Sequence, residues 1–182
     1  MFEECLDSAI EQTYQNIEII VSDDCPNSEI EDIVKSKKDS RILYYRNTPA
    51  KGPALNYPEV FKLAKGDYIK FLNDDDILHP RCIEKMLPYL FLSSVKVVTT
   101  YRQEVDDNGN SLPDRLHNTP LFKENILIEG ASLVCAMLAN QINVVGEPSC
   151  ILFRKKILRV LNLIYYVLGG MDINVQVWVM LG

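Results

Sequence analysis

Residues 64–76 read AKGDYIKFLNDDD, and this stretch decides the fold class. The apolar run Tyr68–Leu72 predicts a buried strand, which ends at Asn73 and three consecutive aspartates. Pro80 follows and is expected to open a helix that lasts to about Phe91. An apolar strand that runs into carboxylates and then into a helix is typical of an α/β sheet, whose ligands lie beyond the carboxyl ends of the strands.

Asp74, Asp75 and Asp76, the second acidic turn, form the strongest chemical feature of the sequence. Three adjacent carboxylates repel one another unless a cation or hydrogen-bond donors compensate. Hard oxygen ligands of this kind suit Mg²⁺ or Mn²⁺, which usually share their coordination shell with substrate phosphates. A polar loop with an N-cap before the next helix explains the same residues, and spacing alone leaves both interpretations open.

Asp23 and Asp24, the first acidic turn, follow another predicted strand. Ile17–Val21 is a β-branched run that ends at Ser22 and this acidic pair. If the sheet is parallel, both acidic turns lie at the same edge of it. A carboxylate there can accept hydrogen bonds from a nucleobase N–H or a ribose hydroxyl, although an Asx-turn with a helix cap has the same composition.

Strand and helix alternate over the first hundred residues. Helices are expected over residues 1–12, 28–37, 54–64 and 130–140, and further strands over residues 42–46 and 96–102. This alternation predicts an α/β domain with a mostly parallel central sheet.

Composition excludes several classes of protein. A chain of 182 residues that is 47% hydrophobic and 24% charged is typical of one globular domain. The formal charge of −6, with the basic residues spread along the chain, leaves no footprint for a nucleic-acid backbone. Five widely spaced cysteines without a C-x-x-C pair indicate neither a disulfide framework nor a zinc site, and they fit a reducing compartment. With no recognisable signal peptide or membrane span, the expected location is the cytoplasm.

Two runs of sequence resemble the family 2 glycosyltransferases of the GT-A fold. Residues 4–24, ECLDSAIEQTYQNIEIIVSDD, are similar to the family's opening helix and second strand. Residues 64–76, with Pro80 in step, resemble its signature A-x-G-(D/E)-Y…L-(D/N)-D-D-D…P. The resemblance covers almost the whole chain. It implies a Rossmann-like nucleotide-diphospho-sugar transferase domain over residues 1–182, with a nucleotide-binding half over 1–100 and an acceptor-side half over 101–182.

The resemblance also implies roles for the two acidic turns. Asp24 matches the acid that holds the uracil, and Asp23 lies beside it in the nucleotide site. Asp74 and Asp75 match the D-x-D-type motif that binds ribose and metal, and Asp76 is expected to assist at the metal.

Two further segments match parts of the family that contact substrates. Lys51 and Asn56 fall in a stretch that contacts the nucleotide, although a lone Lys is usually only solvated. Residues 143–149 are similar to an acceptor-side segment, in which Glu147 and Ser149 are expected to meet sugar hydroxyls. A plain loop before a strand explains the same residues.

The general base is a point at which this sequence departs from the family. Family members place an acid a few positions before an apolar and aromatic helix, to which Val175–Leu181 corresponds. The aligned positions here hold Asn174 or Gln176, and neither amide can take a proton. Asp172 is the acid nearby and the candidate base, with a helix N-cap as its alternative role.

A second departure concerns the two ends of the chain. The family's opening strand, which lies inside the sheet, is missing before Met1, and the chain stops at Gly182. These ends suggest a fragment. Loss of that strand is expected to expose the edges of neighbouring strands and to favour self-association.

Taken with the residues, the resemblance implies metal-dependent, inverting transfer of a sugar from a UDP-sugar to a hydroxyl of a glycan or lipid-linked acceptor. Polysaccharide or cell-envelope glycan biosynthesis is the implied process, with peripheral contact at the inner face of the membrane. The alternative is a catalytically incomplete module that binds sugar nucleotide or packs against another domain. A nucleotidyltransferase on a similar fold ranks last, because the sequence has no Gly-rich phosphate loop near its start.

Overall fold

Helices and strands alternate along the chain, and the predicted α/β architecture is confirmed. The computed structural model describes residues 1–115, 118–120, 122–143, 145–159 and 175–181. Its helices are α1 Phe2–Ile10, α2 Glu29–Lys37, α3 Pro53–Leu63, α4 Cys82–Leu90 and α5 Gly130–Asn140. Its strands are β1 Ile17–Asp23, β2 Ile42–Arg46, β3 Tyr68–Asn73, β4 Val97–Thr99, β5 Ile151–Arg154 and β6 Val175–Leu181.

The strands form one sheet in the order β2-β1-β6-β3-β5-β4. β1 and β2 are parallel, with Ile19 opposite Ile42. β6 is antiparallel to both β1 and β3, so β1 and β3 run in the same direction. β5 is also antiparallel to β3. The strands predicted to share a direction therefore do so, but the sheet is mixed rather than mostly parallel, because β6 and β5 run against them.

The segment Val175–Leu181 corrects two expectations. The expected helix is wrong, since the segment forms β6. Its valines alternate along the sequence, and β-branched residues at every second position favour a strand. β6 lies between β1 and β3 and pairs with both, so the strand edges that were expected to be bare are paired. This pairing removes the basis for the predicted self-association through those edges.

The hydrophobic core lies where helices α1 and α4 cover one face of the sheet. Both helices are amphipathic, since their apolar residues recur every three or four positions. The buried residues that they contribute are Cys5, Leu6, Ala9, Ile83, Met86, Leu87 and Leu90, which pack with Ile19, Val21 and Leu72 of the sheet. Each fully buried Leu or Ile stabilises the fold by about 1.5–3 kcal/mol.

Gln12 joins the end of α1 to the start of α4. Its side chain is fully buried, and its Nε2 donates to the carbonyl oxygens of Ser8 at 3.1 Å and of His79 at 2.9 Å. Its Oε1 accepts the backbone N–H of Ile83 at 3.1 Å. One amide side chain therefore holds the loop that leads from the second acidic turn into α4.

By its contacts the chain divides into two units. The first unit comprises residues 1–98 with 152–182, and the second comprises residues 99–151. Both acidic turns belong to the first unit, whereas α5, Glu147 and Ser149 belong to the second. Within the described ranges, no helix combines the length and the apolar character that a membrane span requires.

Candidate functional site

The two acidic turns lie at the same edge of the sheet. At the end of β1, Asp23 pairs with Val175 of β6, and at the end of β3, Asn73 pairs with Gln176. The carboxyl ends of β1 and β3 therefore flank the start of β6. This edge is where ligands bind in open α/β sheets.

The pKa of the Cys25 thiol is affected by carboxylates of both acidic turns. Its pKa is raised to about 11, first by burial and then by the nearby carboxylates of Asp23, Asp74 and Asp24. A neutral thiol is favoured because ionisation would place a further negative charge among three carboxylates. The edge is therefore a region of concentrated negative charge, which suits a cation.

Asp24 is held by two hydrogen bonds. Its Oδ1 accepts from Nδ2 of Asn47 at 2.8 Å, and its Oδ2 accepts from the backbone N–H of Gly52 at 2.7 Å. The side chain is almost fully buried. Because each carboxylate oxygen can accept more than one hydrogen bond, Asp24 keeps acceptor capacity for a ligand while its orientation is fixed.

Gly52 takes a left-handed backbone conformation, with φ of 71°, at the start of α3. A Cβ there would meet no atom within 4 Å, so glycine is favoured by the backbone conformation and not by steric crowding at that atom. The turn directs the N–H of Gly52 to Asp24, and the carbonyl oxygen of Gly52 accepts the N–H of Asn56 at 2.9 Å. Gly52 thus links the first acidic turn to α3.

Ser22, Asn47 and Asn56 form a polar cluster behind Asp24. Oδ1 of Asn56 accepts from the hydroxyl of Ser22 and from Nδ2 of Asn47, the latter at 3.1 Å. Asn56 is fully buried, so in this structure it supports the turn and faces other protein groups. Sequence reasoning missed Ser22 and Asn47. The available signal was that Asn47 directly follows β2, which runs parallel to β1.

Asp23 is fully buried and bound by protein donors. Its Oδ1 accepts the N–H of Cys25 at 2.7 Å, and its Oδ2 accepts the hydroxyl of Tyr44 at 2.6 Å. Burial, and then the carboxylate of Asp23, raise the pKa of Tyr44 above its usual range. Nε of Arg46 lies 4.0 Å from the same carboxylate. Burial and these contacts favour a structural role for Asp23 at the end of β1.

Lys51 lies directly before Gly52, on the rim of the first acidic turn. Its side chain is partly exposed, and its Nζ lies 3.8 Å from a carboxylate oxygen of Glu59. An exposed ion pair at this distance contributes little to stability, so it leaves the ammonium group able to turn toward an anion.

The second acidic turn is closed by Asn73. Its Nδ2 donates to Oδ2 of Asp76 at 3.3 Å, and its carbonyl oxygen accepts the N–H of Asp76 at 3.2 Å. Asp75 is exposed and Asp74 is partly buried. Burial raises the pKa of Asp74, and the neighbouring carboxylates of Asp75 and Asp76 raise it further. Ionisation of Asp74 is therefore disfavoured by its burial and by its neighbours.

The donor set of the second acidic turn fits a hard divalent cation. No group of three or more His, Cys, Asp or Glu side chains within the described residues has a metal-binding arrangement. The turn is therefore not a preassembled cage. Carboxylates that repel one another and lie beside solvent are nevertheless the oxygen ligands that Mg²⁺ and Mn²⁺ prefer, with water and substrate oxygens filling the remaining positions.

Glu147 and Ser149 lie in a turn of the second unit. Gly146 has a φ of 90°, a left-handed conformation that favours glycine, and a Cβ there would also lie 3.2 Å from Cβ of Cys150. An oxygen of Glu147 lies 3.6 Å from Nη2 of Arg102, and Ser149 is partly buried in a short 3₁₀ helix. The candidate base, Asp172, lies outside the described residues.

Comparison with known proteins adds to this geometry. Residues 1–161 match the family model described as Glycosyl transferase family 2. The chain is 30% identical over 131 residues to the UDP-Glc:alpha-D-GlcNAc-diphosphoundecaprenol beta-1,3-glucosyltransferase WfaP of Escherichia coli, an alignment that covers 72% of this chain and 51% of that protein. It is 35% identical over 147 residues to an uncharacterized glycosyltransferase of Rickettsia felis, with 74% of this chain and 24% of that protein covered.

A third relative has a similar degree of identity. The chain is 30% identical over 125 residues to an uncharacterized glycosyltransferase of Methanocaldococcus jannaschii, which covers 66% of this chain and 43% of that protein. The chain spans about half or less of the length of these relatives. Because the family model matches most of the chain, and the alternating elements agree with it, the chain belongs to glycosyl transferase family 2 and has the GT-A fold.

Proposed function

We propose that this domain transfers a sugar from a nucleoside diphosphate donor, UDP-linked, to an acceptor hydroxyl. The observation that carries the proposal is the meeting of two acidic turns at one edge of the sheet, with Asp24 oriented by Asn47 and Gly52. A nucleotide needs a fixed acceptor for its base and a place where its diphosphate can share a cation. The first acidic turn suits the former need and the second acidic turn suits the latter.

In the donor site Asp24 is the residue that binds the uracil. It has free acceptor capacity and a fixed orientation, so an imide N–H can be recognised without reorganisation of the turn. Asp23 and Asn56, which are fully buried, act as positioning residues that hold the end of β1 and the start of α3. Lys51, on the rim, contacts the diphosphate as a point charge.

Asp75 and Asp74 are the residues that hold Mn²⁺ or Mg²⁺, with Asp76 beside them. The exposure of Asp75 and the raised pKa of Asp74 support this assignment, since a cation relieves the repulsion within the turn. The chemistry that such an ion supplies when bound is neutralisation of charge on the diphosphate leaving group. The family resemblance supports a second role for Asp74, as acceptor of a hydrogen bond from the ribose.

On the acceptor side, Glu147 and Ser149 bind sugar hydroxyls and Asp172 accepts the proton of the attacking hydroxyl. The new glycosidic bond forms on the face opposite the diphosphate as the donor bond breaks, so the product is inverted. The family resemblance supports this stereochemistry. The name of the Escherichia coli relative, in which the acceptor carries diphosphoundecaprenol, supports a lipid-linked acceptor and a role in cell-envelope glycan synthesis.

The five cysteines support a cytoplasmic location for this reaction. None of them forms a disulfide. Unpaired cysteines in this number are typical of proteins that work in a reducing compartment. Peripheral contact with the inner face of the membrane would bring the domain to a lipid-linked acceptor.

The test is calorimetric titration of UDP with and without Mn²⁺, on the natural chain and on an Asp75→Ala variant. We expect binding in the presence of Mn²⁺, and an affinity at least about tenfold weaker without the metal or without Asp75. Asp107→Ala is the matched control, because Asp107 is an exposed aspartate in a turn of the second unit. It should bind UDP as the natural chain does.

Absence of UDP binding by a folded sample, or equal binding by the Asp75→Ala and natural chains, would overturn the donor site. Release of UDP from UDP-glucose, the donor named for the Escherichia coli relative, then separates catalysis from binding. Metal-dependent binding without transfer to any lipid-linked acceptor would favour the sugar-nucleotide-binding module over the enzyme.

A further inference from the structure

A lysine-rich cleft of about 680 Å³ lies in the first unit, at the amino end of β3. Its lining residues are Pro58, Phe61, Lys62, Lys65, Gly66, Asp67, Lys155 and Lys156. Half of them are lysines, whereas the chain as a whole carries a formal charge of −6. The cleft is therefore a local concentration of positive charge on an acidic protein.

Strand pairing brings the lysines of this lysine cleft together from distant parts of the sequence. β3 and β5 are antiparallel with Tyr68 opposite Arg154, so the residues before Tyr68 lie beside those after Arg154. The N–H of Lys155 donates to the carbonyl oxygen of Asp67 at 2.8 Å, and its Nζ donates to the carbonyl oxygen of Ala64. The two walls of the cleft are thus joined through the backbone.

Glu18 of β1 holds the loop that carries Lys65. Oε1 of Glu18 accepts the backbone N–H groups of Lys65 at 2.6 Å and of Gly66 at 2.7 Å. These bonds use the carboxylate of Glu18, while the side chain of Lys65 stays exposed. Phe61 forms an apolar wall, held by an edge-to-face contact with Phe71 at 5.7 Å between ring centres.

The charges in the lysine cleft are only partly compensated. Lys62 pairs with Glu59 at 2.7 Å, and Asp67 is the acid in the lining. Among the described residues, no carboxylate forms an ion pair with Lys65 or with Lys156, which is also exposed. Two ammonium groups therefore face the cleft region with capacity for an anion, and lysine is a compact point charge that binds phosphate well.

We propose that the lysine cleft is a binding site for a ligand that carries phosphate groups. It is separate from the donor site, because the six residues of β3 span about 17 Å between the lysine cleft and the second acidic turn. A phosphate at the lysine cleft gains from Lys65 and Lys156 without approaching the acidic edge. A soluble phosphorylated molecule and the headgroup of an anionic lipid share this chemistry.

The test compares a Lys65→Glu/Lys156→Glu variant with the natural chain. One probe is inorganic pyrophosphate, titrated calorimetrically in EDTA so that no metal-dependent binding at the donor site contributes. The other is sedimentation with phosphatidylcholine vesicles, with or without phosphatidylglycerol. We expect one of the two phosphate-bearing probes to bind, and the double variant to bind it at least about 30-fold more weakly, since each lysine near an anionic surface contributes about 1 kcal/mol.

Lys85→Glu/Lys96→Glu is the matched control, because it makes the same charge change at two exposed lysines of the first unit that lie outside the lysine cleft. It should retain the natural affinity. Saturable pyrophosphate binding would identify a soluble ligand, and binding to phosphatidylglycerol vesicles alone would identify a lipid headgroup. No binding of either probe by the natural chain, or equal weakening in both double variants, would overturn the proposal. Far-ultraviolet circular dichroism of the Lys65→Glu/Lys156→Glu variant shows independently of the donor site whether it is folded.

Discussion

Asp24 and Asp75 are residues of the same type in opposite surroundings. Asp24 is almost fully buried and accepts hydrogen bonds from Asn47 and Gly52, whereas Asp75 is exposed. A buried acceptor that holds two donors contributes to stability, and an exposed carboxylate does so very little. Substitution should therefore lower the stability of the fold at Asp24 and leave it almost unchanged at Asp75.

We expect Asp24→Asn to lower the free energy of unfolding by about 1–3 kcal/mol, because the new amide NH₂ faces a donor and leaves it unpaired. Asp75→Asn should change the free energy of unfolding by less than about 0.5 kcal/mol. Urea unfolding followed by circular dichroism measures both. Equal stability of the two variants would show that the two hydrogen bonds of Asp24 do not stabilise the fold.

At the residue scale, the sequence predicted the carboxylates that follow the strands. It did not predict the buried polar side chains that form hydrogen bonds behind them. Asp24 and Asp74–Asp76 could be proposed because carboxylates after an apolar strand have a place in any α/β sheet. Ser22 and Asn47 could not, because their cluster depends on the parallel pairing of β1 with β2, which spacing along the chain does not reveal. The burial of Asp23 could not be predicted from the sequence for the same reason.

At the scale of elements, α1 and α4 were recognisable because each has an apolar stripe of helical period. β6 was not, because a short apolar run can form a strand or a buried helix, and only its pairing partners decide between them. Its two neighbours are β1 and β3, which lie far away in sequence. The family resemblance favoured the helix at that point, and the valine alternation was the better guide.

The hydrogen bonds of Gln12 between the end of α1 and the start of α4 should contribute to stability. Gln12→Ala leaves the N–H of Ile83 and the carbonyl oxygen of His79 without their buried partner, so we expect a loss of about 2–4 kcal/mol in the free energy of unfolding. Glu11→Ala, at the neighbouring exposed position, should be nearly neutral. Chemical denaturation of the three chains makes the comparison, and a loss below about 1 kcal/mol for Gln12→Ala would contradict the prediction.

At the scale of the whole molecule, stability should fall at alkaline pH. The folded state raises the pKa of Cys25 to about 11 and also raises that of Tyr44. In the unfolded chain these groups ionise near their usual values, about 8.5 for Cys and about 10 for Tyr. Above about pH 9 the unfolded state therefore binds fewer protons than the folded state, and the free energy of unfolding decreases as pH rises.

Each of these two groups can lower the free energy of unfolding by at most about 1.4 kcal/mol per pH unit. Urea unfolding in reductant at pH 8, 9.5 and 10.5 measures it. Tyr44→Phe should flatten the decline above pH 10, whereas Tyr45→Phe, at a more exposed neighbouring position, should leave it unchanged. The same slope in all three chains would show that Tyr44 is not responsible.

The position of β6 has a consequence for how the chain is made. β1 and β3 do not touch each other in the sheet, and the strand that joins them pairs Ile17 with Leu181. During synthesis the helices and the pair of β1 with β2 can form early, but the middle of the sheet waits until residues 175–181 have been made. Contacts that span so much of the chain close slowly. Until then the ends of β1 and β3 have no strand between them, so the acidic edge is unassembled and a nascent chain presents unpaired strands to chaperones.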